Sequence, residues 1–90
     1  MIEFSDKIVS NVSRDAVDAF WDAPTGRVCI SFSCVALNDY FQTKDTMEMA
    51  LNNFNENSKH LAEFVSKYIQ SNAELRNETT ITITSEILYR

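Results

Sequence analysis

Between Arg27 and Phe41 the chain reads RVCISFSCVALNDYF, and the period of its apolar residues changes from two to about 3.6 within a few positions. Val28, Ile30 and Phe32 alternate along one face of a strand. Ser33 then offers a hydroxyl to the first free N–H groups of a helix, which runs to about Phe41 with Leu37, Tyr40 and Phe41 on its inner side. A strand that passes directly into a helix commits the chain to mixed α and β structure.

The segment upstream supplies the strand's partner. Ala16–Ala23 reads as a strand, and Pro24-Thr25-Gly26 as the turn, with Pro fixing φ and Gly tolerating a positive one. Pro24 and Gly26 are the chain's one proline and one glycine, both in one turn. Pairing Trp21 with Val28 sets Ala19 against Ile30 and Val17 against Phe32, which gathers all six on one face. Asp22 then meets Arg27, a cross-strand charge pair. A one-residue slip would instead pair Phe20 with Ile30 and Asp18 with Phe32, burying an aspartate in the core, so the first register is preferred.

Ile2–Phe4 reads as a short strand or ordered arm, and Ser5–Ser13 is polar and indistinct. After the short helix, Thr43 or Asp45 opens a second one, and Asp45 with Glu48 has the capping-box spacing. Met47, Leu51, Phe54, Ser58, Leu61, Val65 and Tyr68 follow in alternating steps of four and three, one continuous seam. A straight helix from Thr46 to Ser71 would span about 39 Å, longer than the roughly 25–30 Å diameter of so small a domain. Such a helix bends, projects past the sheet or packs on a second copy. The asparagines at 52, 53, 55 and 57 are weak helix formers and mark the place for a bend. Asn72–Asn77 is a connection. Thr79–Leu88 reads as a strand with Ile81, Ile83 and Ile87 inward and Thr80, Thr82, Thr84 and Glu86 outward. The expected fold is one α+β domain over residues 1–90. It has two layers, an antiparallel sheet (N-terminal strand, hairpin, C-terminal strand) with a short and a long helix packed on one face.

With those elements placed, the chain resembles a small bacterial family, domain of unknown function 1488. The residues that carry the resemblance are Ile2-x-Phe4 with Asp6 after it, the Gly26 turn leading to Val28, and Ser33. They continue with Ala36-Leu37-x-Asp39-Tyr40-Phe41, Phe54 and Asn57, and the terminal alternating strand. The resemblance covers nearly the whole chain and implies a fold. Such structures are sometimes labelled transcriptional-regulator-like, a label that implies no activity. The family often has a cysteine just before the short helix; Cys29 and Cys34 lie near that place without clear alignment, and no thiol role is carried over.

Charge and chemistry narrow the functional classes. The net charge is −5, and the eight Lys and Arg are dispersed, whereas nucleic-acid affinity rests on cations neutralising phosphates. No apolar run reaches the roughly 18 residues of a membrane span. MIEFSDKIVS lacks a basic region followed by an apolar one, so the expected location is cytoplasmic. In that compartment Cys29 and Cys34 are expected to stay reduced. Of the two, Cys34 is the better redox candidate, because a helix N-terminus lowers a thiol pKa. The one histidine, His60, is spaced i+4 from Glu56 and i−3 from Glu63. It lies off the apolar seam, so the trio reads as a solvated face with Met49 and Asn53, and Lys59–Glu63 and Glu63–Lys67 as ordinary helix pairs. No metal, cofactor or catalytic residue is assigned. No base neighbours a Ser or Cys in the pattern, and one glycine cannot build a phosphate-cradling loop.

The surface that stands out is the sheet's outer face. The chosen register places Asp18, Phe20, Asp22 and Arg27 there, with Thr82, Thr84 and Glu86 from the last strand, and Cys29 and Ser31 between them. Phe20 is then an exposed aromatic among acids and hydroxyls, a composition suited to docking a protein. The leading expectation is a non-enzymatic protein-interaction module with an unidentified protein partner. Homodimer formation is a further expectation, because the apolar stripe from Leu61 to Ile69 exceeds what one small sheet covers. The alternative is a nucleic-acid-associated regulator.

Overall fold

The computed structural model describes residues 2–89. Met1 and Arg90, the ends of the expected domain, lie outside the described residues. Four strands form one sheet in the order β1 (Phe4–Asn11), β2 (Ala16–Ala23), β3 (Gly26–Ser33), β4 (Thr80–Ile83). Between β3 and β4 the chain crosses one sheet face through α1 (Cys34–Tyr40), α2 (Met47–Glu56), α3 (Ser58–Ser71) and a 3-10 turn over Ala73–Asn77. A last turn, α4 (Ser85–Leu88), follows β4 directly.

The central hairpin has the register read from the pattern: Trp21 opposite Val28, Ala19 opposite Ile30, Val17 opposite Phe32 and Asp22 opposite Arg27. Pro24 and Thr25 alone form its loop, and Gly26 closes it at φ +136°, backbone that L side chains rarely adopt. Val17, Ala19, Ile30 and Phe32 are wholly buried, facing Leu37, Phe54, Leu61 and Val65 from the helices. Phe4, Phe32 and Phe54 form an aromatic triad with ring centroids 6.1, 5.3 and 5.5 Å apart, which joins β1, β3 and α2.

The last strand differs from expectation in direction and length. β4 runs parallel to β3, Cys29 opposite Thr80 and Phe32 opposite Ile83, so the sheet is only mostly antiparallel. The reason is the crossover: three helices carry the chain back to the end where β3 begins, and it re-enters in the same sense. β4 stops at Ile83 because Thr84 caps α4, its hydroxyl accepting from the Ile87 N–H at 3.5 Å. Leu88 is buried by the resulting turn and Ile87 only partly.

At the other edge, β1 extends through residues read as indistinct. Between its pairings Phe4–Trp21 and Ile8–Ala19 it takes four residue steps against two on β2. That irregularity erases the period-two signal while leaving Phe4 and Ile8 packed against the core. The long helical seam breaks at Asn57, whose φ of −123° ends α2 and begins α3, so the straight helix of about 39 Å does not form. The bend thus falls at the asparagine cluster. The cap of α2 is Thr46, accepting from the Met49 N–H at 3.1 Å, rather than Thr43 or Asp45. Asp45 instead accepts from Asn38.

Candidate interaction face

Among the described residues the helices pack on one side of the sheet, and none covers the other side. The sequence-selected residues divide there by position in the sheet. Asp22 and Arg27, near the hairpin end, form a bidentate ion pair: Arg27 Nε donates to Asp22 Oδ1 at 2.9 Å and Nη2 to Oδ2 at 3.3 Å. The guanidinium hydrogen bond holds the Asp22 carboxyl below its ordinary pKa and Arg27 correspondingly higher. Phe20 is half-buried rather than freely exposed, because two cations lie against its ring: Lys7 Nζ at 5.7 Å and Arg27 Cζ at 5.6 Å from the centroid. Lys7 comes from the irregular part of β1 and has no signal of its own in the sequence pattern.

Asp18 departs from expectation, being only 7% exposed although it faces away from the helices. It sits mid-strand, between Val9 on β1 and Ser31 on β3, and these neighbours shield it. Its carboxylate accepts from the Ser31 hydroxyl at 2.6 Å and from Asn11 Nδ2 at 3.0 Å, so it is a structural acceptor for three strands. Thr82 is exposed as expected and borders a depression of about 250 Å³ with Arg14, Ala16, Ser31 and Ser33. Thr84 and Glu86 leave the face: Thr84 caps α4 and Glu86 lies in its first turn. The face therefore retains Phe20, Asp22, Arg27 and Thr82, gains Lys7 and Arg14, and loses Asp18, Thr84 and Glu86.

The thiols are set against reactivity. Burial, with the Asp18 charge second, raises the Cys29 pKa. Burial, with Asp15 behind it, pushes Cys34 up to about 11, overriding any helix-end effect at the start of the seven-residue α1. Cys34 Sγ instead contacts Met47 Sδ at 3.6 Å.

Of two polar features elsewhere read as solvated, one is buried and the other is exposed but engaged by a neighbour. Asn53 is buried, with its Nδ2 donating to Asn38 Oδ1 at 3.1 Å and to Thr43 Oγ1 at 2.7 Å, while Asn38 Nδ2 donates to the Thr46 carbonyl at 3.0 Å. This network fixes the α1–α2 connection. His60 is exposed but not isolated: its Nε2 lies 3.3 Å from the Tyr40 hydroxyl and its ring stacks on Tyr40 at 6.1 Å. Tyr40 also packs on Tyr89, whose hydroxyl donates to the Asp39 carbonyl at 3.0 Å. Among the described residues no three His, Cys, Asp or Glu are grouped so as to hold a metal ion. None of the described helices is long and apolar enough to cross a membrane.

No family model matches the sequence, and no match among curated proteins reaches significance. In structure the chain is similar to a crystallised protein of unknown function from the DUF1488 family of Shewanella loihica. The TM-score is 0.73 over 91% of this chain and 90% of that one, at 18% sequence identity. The α+β fold is therefore that of a DUF1488 protein, as the resemblance read from the residues implies.

Proposed function

We propose that the protein is a non-enzymatic protein-interaction module that docks an acidic polypeptide segment on its uncovered sheet face. The observation that carries this reading is Phe20 held between Lys7 and Arg27. An aromatic body flanked by cations suits a segment whose carboxylates meet the cations while an apolar side chain covers the ring. Arg14 and Thr82 extend the same face toward the opposite end of the sheet. Lys7, Arg14 and Arg27, the last shared with Asp22, lie on one face of a chain whose net charge is −5, which favours approach by an acidic segment in that orientation over others.

The test is selection from a random peptide library, followed by affinities for wild type and for Phe20→Ala. The expected outcome is enrichment of peptides with acidic residues beside an apolar one, and binding weakened about tenfold or more by Phe20→Ala in a protein with unchanged circular dichroism. Peptides bound equally well by the variant would defeat the proposal.

A second reading rests on the same placement, since an aromatic between cations on an open sheet also suits a stacked base of single-stranded nucleic acid. Anisotropy of a labelled single-stranded oligonucleotide in rising salt separates the two. Binding that falls steeply with salt favours the nucleic-acid reading.

A further inference from the structure

On α3, His60, Glu63, Phe64, Lys67, Tyr68 and Ser71 stand at i, i+3, i+4, i+7, i+8 and i+11 and so share one side of the helix. The buried residues Leu61, Val65 and Ile69 point into the core from another side. Phe64 and Tyr68 remain half-buried, their rings stacked with centroids 6.2 Å apart and planes 14° apart. With Ile87 of α4 they border an open groove of about 450 Å³, and Lys67 and Ser71 form its polar margin. Glu63 and Lys67 are exposed. They have the spacing of a helix ion pair, yet neither is ion-paired among the described residues, where the ion pair formed is Asp22–Arg27.

We infer that this face binds a second copy of the chain, α3 packing antiparallel on its twin. The order of charges along the helix selects that occupant. With the acid nearer the N-terminus and the base nearer the C-terminus, a two-fold axis near Val65 places Glu63 of each copy against Lys67 of the other. A parallel arrangement would set like against like. The same axis brings the Phe64–Tyr68 stack of one copy over that of its partner, so that the apolar centre is covered and the charges form its rim. A standard interface removes about 800 Å² per partner, roughly one-seventh of this chain's 5516 Å². A contact built on a helix about 21 Å long sits at or below that size, so the dimer is weak and exchanges with monomer. This inference is independent of the sheet-face proposal and uses none of its residues.

The experiment is sedimentation equilibrium from micromolar to millimolar protein. Wild type, Glu63→Lys and Lys67→Glu are each run alone, and the two variants are then mixed. Wild type is expected to dimerise. Either variant alone turns both rim pairs into like-charge contacts and weakens dimerisation about tenfold or more. An equimolar mixture restores it, because every rim pair is then again acid against base. Both substitutions are at exposed positions, so circular dichroism and melting temperature stay near wild type. A wild type monomeric at millimolar concentration overturns the inference, as does a dimer that both variants leave intact. A dimer lost on Phe20→Ala and kept in both charge variants places the second copy on the sheet face, and equally overturns it.

Discussion

Asp18 separates what one residue's position reveals from what its neighbours decide. The alternation of β2 places it correctly, facing away from the helices. Its burial depends on Val9 and Ser31, which reach it only once both flanking strands are in place. Replacing it by alanine leaves the Ser31 hydroxyl and the Asn11 amide short of an acceptor. The expected cost is about 1–3 kcal/mol, measurable as a lower urea midpoint with unchanged m-value. A fully solvated aspartate at that site would cost under about 0.5 kcal/mol. The Asp22–Arg27 pair, by contrast, was legible at once. The apolar pattern favours the register that gathers Val17, Ala19, Trp21, Val28, Ile30 and Phe32 on one face over a one-residue slip, and that register sets Asp22 opposite Arg27.

At the scale of elements, the legible ones carry a regular period or a local stop signal. The hairpin, α1 with its Ser33 cap, and the break at the asparagines all qualify. β1 was hidden because its irregularity breaks the alternation between Phe4 and Ile8. The end of β4 was hidden because Ile83 and Ile87 suit a strand as well as they suit a strand followed by one helical turn. Direction was beyond reach, since nothing in a four-residue strand records how many helices precede it. The α1–α2 joint was obscured in a different way, its buried asparagines matching the composition of a solvated surface. Asn53→Ala removes two donated hydrogen bonds and leaves Asn38 and Thr43 incompletely paired. The expected loss is about 1–3 kcal/mol. Hydrogen exchange should show the added opening concentrated in α1 and the loop to α2.

For the molecule as a whole, the two faces of the sheet differ in what they cover: one is packed under the helices and holds the core, and the other is the face proposed above for docking. The helix-covered face holds the Phe4–Phe32–Phe54 triad, and removing its centre is severe. Phe54→Ala is expected to cost about 3–5 kcal/mol, a large share of the roughly 5–10 kcal/mol typical of so small a domain. Phe20→Ala, on the opposite face, should cost about 1 kcal/mol or less, since it loses contacts with two partly solvated cations. Paired thermal melts test the division. A Phe20 variant that melts as low as the Phe54 variant would make Phe20 a core residue and remove the basis for a docking face there.

The parallel pairing of β4 also governs how the chain acquires its fold. Cys29 and Thr80 are adjacent in the sheet yet lie fifty-one positions apart along the polypeptide, so the last ladder closes only after the chain has passed through α1, α2 and α3. The hairpin of β2 and β3 can assemble early from local contacts. Until the rest arrives it displays Val17, Ala19, Ile30 and Phe32 to water. Non-local closure of this kind slows folding, and a half-made chain carrying an uncovered apolar sheet is open to association with its like until the helices cover it.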